Sequence, residues 1–257
     1  MLIILLTVTA LGAALGSTLA LACQRYSPTE SPSDWFRALW TPPSRCMLCR
    51  APVLWRDKIP LISWLCLQGR CRACRQAIGV LPLLFELTGA LLCLMLVIVF
   101  NACPLTAAFI LVASCLLLLL AVIDQRHFLL PDVLTGALLW LGLSRFFFAV
   151  PLSVTSAVGG AVAGYGSLWL LAWLYRQIKH QEGLGNGDIK LFAALGIWCG
   201  WQALPWIALI ASVSALLAFA VRAIIHKRLY MNSPLPFGPF LAAAGWGMIV
   251  LQSLIRL

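Results

Sequence analysis

The sequence predicts an all-α, polytopic membrane protein with about eight transmembrane helices and one cytosolic zinc-ribbon-like loop, and three observations carry that expectation. Apolar residues make up 62% of the chain and charged residues only 10%, against about 45–50% and 25% in soluble domains. The apolar residues are gathered into runs approaching the length of about 20 residues that a membrane helix needs. The basic residues fall almost entirely into every second connection between those runs, as the positive-inside rule requires.

The runs, in order, are Met1–Ala22, Leu81–Phe100, Leu105–Ile123, Val133–Val150, Ser153–Tyr175, Ile189–Cys199, Ala203–Ile225 and Gly238–Ile255. The first has no Lys or Arg before it and is followed by basic residues, which reads as an uncleaved anchor with its N-terminus outside. Ile189–Cys199 is short for a span and is expected either to extend to about Leu204 or to lie at a slant. On this topology sixteen of the eighteen Lys and Arg are inside, and only Arg145 and Arg256 are outside. The formal charge of +10 therefore reports topology, and nucleic-acid binding is excluded. The chain divides into a first transmembrane helix (1–22), a loop domain (23–80) and a membrane-embedded core (81–257). Gly160 and Gly164 form a GxxxG pattern, read as close helix packing.

The loop domain holds two CxxC knuckles, Cys46/Cys49 and Cys71/Cys74. Two-residue spacing lets both thiolates of a knuckle face one ion, and two knuckles complete a tetrahedral four-cysteine shell. A reducing compartment disfavours disulfides, so the expected ligand is a structural Zn2+. The loop also carries Trp35, Trp40, Trp55 and Trp64, which fit either interfacial anchors or a small core.

Of eight acidic residues, Glu30, Asp34 and Asp57 read as solvated partners of Arg, Glu182 as an exposed loop acid, and Asp132 as a helix N-cap. Glu86 lies one turn into a helix, where the dipole accommodates it. Asp124 ends an apolar run where the same dipole disfavours negative charge, so a structural role alone does not account for it. Asp188 follows Gly183, Gly185 and Gly187 and opens the short run. Glycines at those positions permit positive φ and close backbone approach. Both acids fall at the inner membrane edge, where two carboxylates of unequal environment suit aspartic proteolysis. The dipole argument makes Asp188 the ionised base and Asp124 the protonated acid.

These residues are arranged in a pattern that resembles the type IV prepilin peptidases, bacterial inner-membrane aspartic proteases of the GxGD class. The matching pieces are Ser44–Pro52, Ile59–Leu65, Gly69–Cys74, Ile123-Asp124 with Leu129–Asp132, Gly185-Asn-Gly-Asp188-Ile-Lys-Leu191 and Pro236-Phe-Gly-Pro-Phe-Leu241. The resemblance implies that Asp124 and Asp188 are the catalytic pair, with Gly185 and Gly187 lining the approach of the substrate. It implies a prepilin or type II secretion pseudopilin as substrate, cut on the cytosolic side of the inner membrane by an enzyme with a periplasmic N-terminus. It further implies S-adenosylmethionine-dependent N-methylation of the new N-terminus, with Glu86 in the region concerned, and metal binding by the four cysteines.

Two departures from the family pattern bear on methyl transfer: Gly16-Ser17-Thr-Leu-Ala20 lacks the usual asparagine, and Val80-Leu81-Pro82 precedes Glu86 without the usual Arg-Tyr. A peptidase without methyltransferase activity is accordingly the alternative. A proton- or cation-coupled transporter is the alternative from another class.

Overall fold

The computed structural model describes residues 2–41, 43–46, 49–100, 103–148, 153–181, 183–226 and 235–255. Glu182, Lys227, Arg228 and Arg256 lie outside them. The chain divides into two compact units, Met1–Ala107 and Ala108–Leu257.

In the first unit the long helices are α1 (Leu2–Gln24) and α4 (Leu81–Val99), with two short helices between them, α2 (Pro32–Trp40) and α3 (Ile62–Cys66). Small residues set the α1–α4 crossing. A Cβ on Gly12 would strike the Gly89 carbonyl, and one on Gly16 would strike the carbonyl of Phe85. Close packing of backbone on backbone is how helices gain contact where lipid removes the hydrophobic drive between them.

The loop between these helices folds back on the end of α1. Ser31 caps α2 by accepting the Asp34 amide at 3.2 Å, Pro32 occupies the first turn, and Asp34 accepts the Ser31 hydroxyl at 2.7 Å. Asp34 is therefore part of a helix cap, and no salt bridge to an arginine is seen for it among the described residues. Trp35 is buried, donates its indole N–H to the Ala22 carbonyl at 3.1 Å and meets Tyr26 edge-on. The Arg25 guanidinium donates to the Ala38 carbonyl. Trp64 donates to the Gly79 carbonyl at 3.1 Å and lies against Gly69, whose φ of +66° excludes most side chains. Trp40 is 87% exposed. The tryptophans thus divide between a small core and the surface.

The second unit contains α5 (Pro104–His127, which begins just before the boundary), α6 (Asp132–Phe148), α7 (Val154–Lys179), α8 (Asn186–Cys199), α9 (Leu204–His226) and α10 (Gly238–Ile255). Among the described residues, six helices are long and apolar enough to cross a membrane: α1, α4, α5, α7, α9 with the turn before it, and α10. The other two of the eight expected segments, α6 and α8, have 17 and 14 residues.

The short helix α8 is the centre of this unit. At 1.5 Å per residue it is about 21 Å long, less than the roughly 30 Å of bilayer hydrocarbon. It does not extend to Leu204, because Gly200 ends it with a φ of +78°. From Ile189 to Cys199 every residue but Lys190 is buried. An apolar pattern all round a helix is what a fully surrounded helix requires, and α6, α7 and α10 surround it.

Close approach holds each neighbour. A Cβ on Gly160 of α7 would strike the Gly196 carbonyl, one on Gly196 would strike Gly160, and one on Gly164 would lie 2.9 Å from the Phe192 carbonyl. The GxxxG pair therefore seats α8 against α7. From α6, the Leu138 carbonyl accepts the Trp198 indole N–H at 2.9 Å, and the buried Arg145 guanidinium stacks 4.6 Å from the same ring. From α10, Gln252 donates to the Cys199 carbonyl at 3.0 Å.

Candidate active site

The two singled-out acids both belong to the second unit and both are buried, Asp124 at 6% and Asp188 at 9% exposed. Asp124 sits in the last turn of α5, and Asp188 is the third residue of α8. The connection between α5 and α6 draws the two helix ends together, Leu130 packing on Gly187 and Asp132 pairing with Lys190.

Three contacts hold the segments around them. A Cβ on Gly187 would lie 2.7 Å from the Leu130 side chain, so the second glycine of the motif is consumed in packing α8 against the connection after α5. Lys190 pairs with Asp132 at 2.6 Å, joining the same two segments. The Gly238 amide at the start of α10 donates to Asp124 Oδ2 at 3.0 Å. Asp188 has its Oδ2 near Gly185, where a Cβ would stand 3.4 Å from it, while its buried Oδ1 has no hydrogen-bond partner among the described residues.

Two details differ from the sequence reading. Gly185 and Gly187 do not take positive φ; among the described residues the glycines that do are Gly69, Gly79 and Gly200. Their lack of a side chain serves close approach, with Gly183 facing the Tyr175 ring and Gly187 facing Leu130. Asp132 is the first residue of α6, not its cap, because the Pro131 carbonyl already accepts the Leu134 and Thr135 amides. Its carboxylate is left for Lys190. Gly238 was missed as a site residue: it stands 114 positions from Asp124, and no local pattern connects them. The one available signal was its place inside Pro236-Phe-Gly-Pro-Phe-Leu241.

In the first unit the four cysteines converge as the spacing predicts. All four Sγ atoms lie within 4.8 Å of one another, with Cys46–Cys74 at 3.8 Å and Cys49–Cys71 at 3.9 Å. Thiolates about 2.3 Å from a tetrahedral ion stand roughly 3.8 Å apart, the spacing of these two pairs, so the donor set could hold Zn2+.

Each knuckle is built the same way. Cys46 N–H bonds the Ala51 carbonyl and Cys71 N–H bonds the Gln76 carbonyl, while Arg50 and Arg75 turn the chain at φ of +56° and +59°. Flanking bridges Arg45–Pro52 and Arg70–Ala77 close both turns. The Cys74 and Ala73 amides lower the Cys71 thiol below its ordinary value. The Gln76 amide acts likewise on Cys74, but burial and the neighbouring thiols outweigh it and push that group up to about 11. Four crowded thiols resist joint ionisation unless a cation balances them. Arg72, inside the second knuckle, clamps Asp57 through Nε (3.0 Å) and Nη2 (2.6 Å), which holds the Asp57 carboxyl below its ordinary value.

Zinc in this cluster has a direct check. Metal analysis of the purified chain is expected to find about one zinc per molecule, falling to background in Cys71→Ser, because three thiolates no longer close the shell. Protease cleavage within residues 43–78 is expected to accelerate with the loss.

Glu86 is buried in α4 and accepts the Leu61 backbone N–H at 2.7 Å. Leu61 carries a φ of +62°, an unfavourable conformation for a branched side chain, and it opens α3. The carboxylate is thus a strut for the Ile59–Leu65 stretch. Glu86→Ala is expected to weaken that stretch by about 1–3 kcal/mol by stranding a part-buried donor, whereas Glu86→Gln keeps an acceptor and should preserve it. Hydrogen exchange at Leu61 distinguishes the two. If glutamine also abolishes methylation while exchange stays slow, the carboxylate has a chemical role beyond support.

Known proteins resemble the chain along most of its length. A family model described as the type IV leader peptidase family matches residues 111–221, which include Asp124 and Asp188. A second, described as the bacterial peptidase A24 N-terminal domain, matches residues 10–100, which include the four cysteines and Glu86. No solved structure matches the chain. A prepilin leader peptidase/N-methyltransferase of Pectobacterium carotovorum subsp. carotovorum is 44% identical over 82% of this chain and 76% of its own length. Proteins of the same description from Aeromonas salmonicida (strain A449) and Dickeya chrysanthemi are 42% and 43% identical, over 86% and 88% of this chain and 75% and 79% of their own. Two family models in sequence order and relatives aligned along most of both chains leave one assignment: this protein belongs to the type IV leader peptidase family.

Proposed function

We propose that the chain cleaves the leader from a type IV prepilin or a type II secretion pseudopilin, with Asp124 and Asp188 as the catalytic pair. The observation that carries this reading is the burial of two carboxylates at helix ends that the α5–α6 connection draws together, in the segment matched by the leader peptidase family. Aspartic proteolysis uses two neighbouring carboxylates with one proton between them, because like charges close together do not both ionise readily. The ionised partner takes a proton from a water molecule as its oxygen bonds to the scissile carbonyl carbon, and the protonated partner donates to the carbonyl oxygen. Collapse of the tetrahedral intermediate breaks the C–N bond as a proton passes to the leaving amine. No side-chain nucleophile is required.

The bilayer in question is the bacterial inner membrane, with the N-terminus periplasmic and the acids at the cytosolic edge. The charge asymmetry of the connections supports that orientation. Zn2+ held by Cys46, Cys49, Cys71 and Cys74 has a closed shell and a structural role. Methyl transfer from S-adenosylmethionine to the new N-terminus is the second activity, supported by the relatives' description. S-adenosylmethionine would supply the methyl group, and the matched N-terminal domain with Glu86 is the part of the chain proposed to serve it. Co-expression with a prepilin tests both activities. Intact mass of the pilin N-terminus reports leader loss and methyl addition separately, and an unprocessed prepilin beside folded enzyme would overturn the peptidase reading.

A further inference from the structure

We propose that Gly238 is a positioning residue for the dyad: its backbone N–H holds Asp124 and biases the pair so that Asp124 reacts as the carboxylate and Asp188 as the carboxylic acid. This rests on the reading of the two aspartates as the catalytic pair. It reverses the assignment that helix dipoles alone suggest.

Gly238 is the first residue of α10, so its amide has no acceptor within the helix. That amide is spent on Asp124 Oδ2 at 3.0 Å, in a buried setting. A backbone N–H can only donate. The bond is strongest when the carboxyl is ionised, and the positive end of α10 adds to the preference. Asp188 is served differently. Although it lies in the first turn of α8, its buried Oδ1 has no hydrogen-bond partner among the described residues, a poor setting for an anion and a tolerable one for a neutral acid. A specific hydrogen bond at one carboxyl outweighs the diffuse dipole at the other.

The donor is also fixed in place. Trp246 of α10 donates to Ser114 of α5 at 2.8 Å, Gln252 donates to the end of α8, and Gly245 sits against the Leu195 side chain. One helix thus spans both acid-bearing helices and presents its first amide to one acid only. Glycine is required at 238 because a Cβ there would stand 2.6 Å from Asp124 Oδ2. Other charges near the pair are accounted for. The described residues of α10 have no titratable side chain, α8 brings Asp188 and Lys190, Lys190 is taken by Asp132 of α6, and α5 itself continues to Arg126 and His127.

Two substitutions separate the donor from the space it occupies. Gly238→Ala keeps the N–H and adds the Cβ. Gly238→Pro adds bulk and removes the N–H, at a first-turn position where proline is accepted. In full-length enzyme in lipid nanodiscs, both are expected to slow prepilin cleavage. Only proline should move the acid limb of the pH–rate profile, upward by about one unit, because losing the donor weakens the carboxylate form. Identical profiles for the two variants would overturn the proposal.

Infrared spectroscopy of the resting enzyme provides an answer that does not depend on the proline variant folding. A carboxylic-acid band lost in Asp188→Asn and retained in Asp124→Asn is the expected pattern, and the opposite pattern overturns the assignment. Wild-type cleavage in both asparagine variants would instead remove the dyad itself, a distinguishable failure.

Discussion

Asp124→Asn and Asp188→Asn are each expected to reduce leader cleavage by about a thousandfold or more, on the scale of losing a positioned acid or base. Asparagine matches aspartate in volume and can still accept the Gly238 amide, so packing around both positions should survive. What disappears is the ability to take up or release a proton. The losses should not add, because either acid alone leaves the water without its partner, and the double variant should be little slower than the singles. Single-turnover cleavage of a purified prepilin gives the rates, with zinc content and thermal stability as evidence that the fold is intact. Wild-type turnover by either single variant would show that the two buried acids are not the reacting pair.

The second large effect concerns a position far from the chemistry in sequence. Gly160→Val is expected to lower stability by at least about 3 kcal/mol, the upper end of the usual range for overpacking, and to abolish cleavage with it. The clash is between Cβ and the Gly196 carbonyl, so no rotamer relieves it. Nor can α8 retreat, because α6 holds Trp198 and α10 holds Cys199. Gly159 and Gly166 are controls on the same helix: a Cβ on either meets nothing within 4 Å, so Gly159→Ala and Gly166→Ala should be neutral. Thermal denaturation in detergent measures all three. A Gly160→Val protein as stable as wild type would mean that α7 and α8 do not cross as closely as described.

Much was legible without coordinates. Helical class and membrane residence followed from composition, because a chain with so few charges cannot cover a water-facing surface. The four-cysteine cluster followed from spacing, because two residues between ligands set a turn that is local in the chain. Asp124 and Asp188 stood out because a carboxylate at an apolar boundary calls for an explanation beyond structure. The same local reasoning misassigned Asp132, which is the first residue of its helix and not the cap, and left open which of two properties the glycines use, close approach being the one.

Membrane residence, the eight apolar runs, each CxxC knuckle and the candidate acids were legible in the sequence alone, since each depends on residues close to one another in the chain. Tertiary structure alone decided that the shortest apolar run is the buried centre of its unit, that Glu86 reaches back 25 positions to brace Leu61, and that an amide 114 positions away bonds Asp124. Those outcomes depend on which backbones can approach when helices cross. Lipid-facing sequences carry little of that information, because an apolar side chain suits bilayer and protein interior equally well.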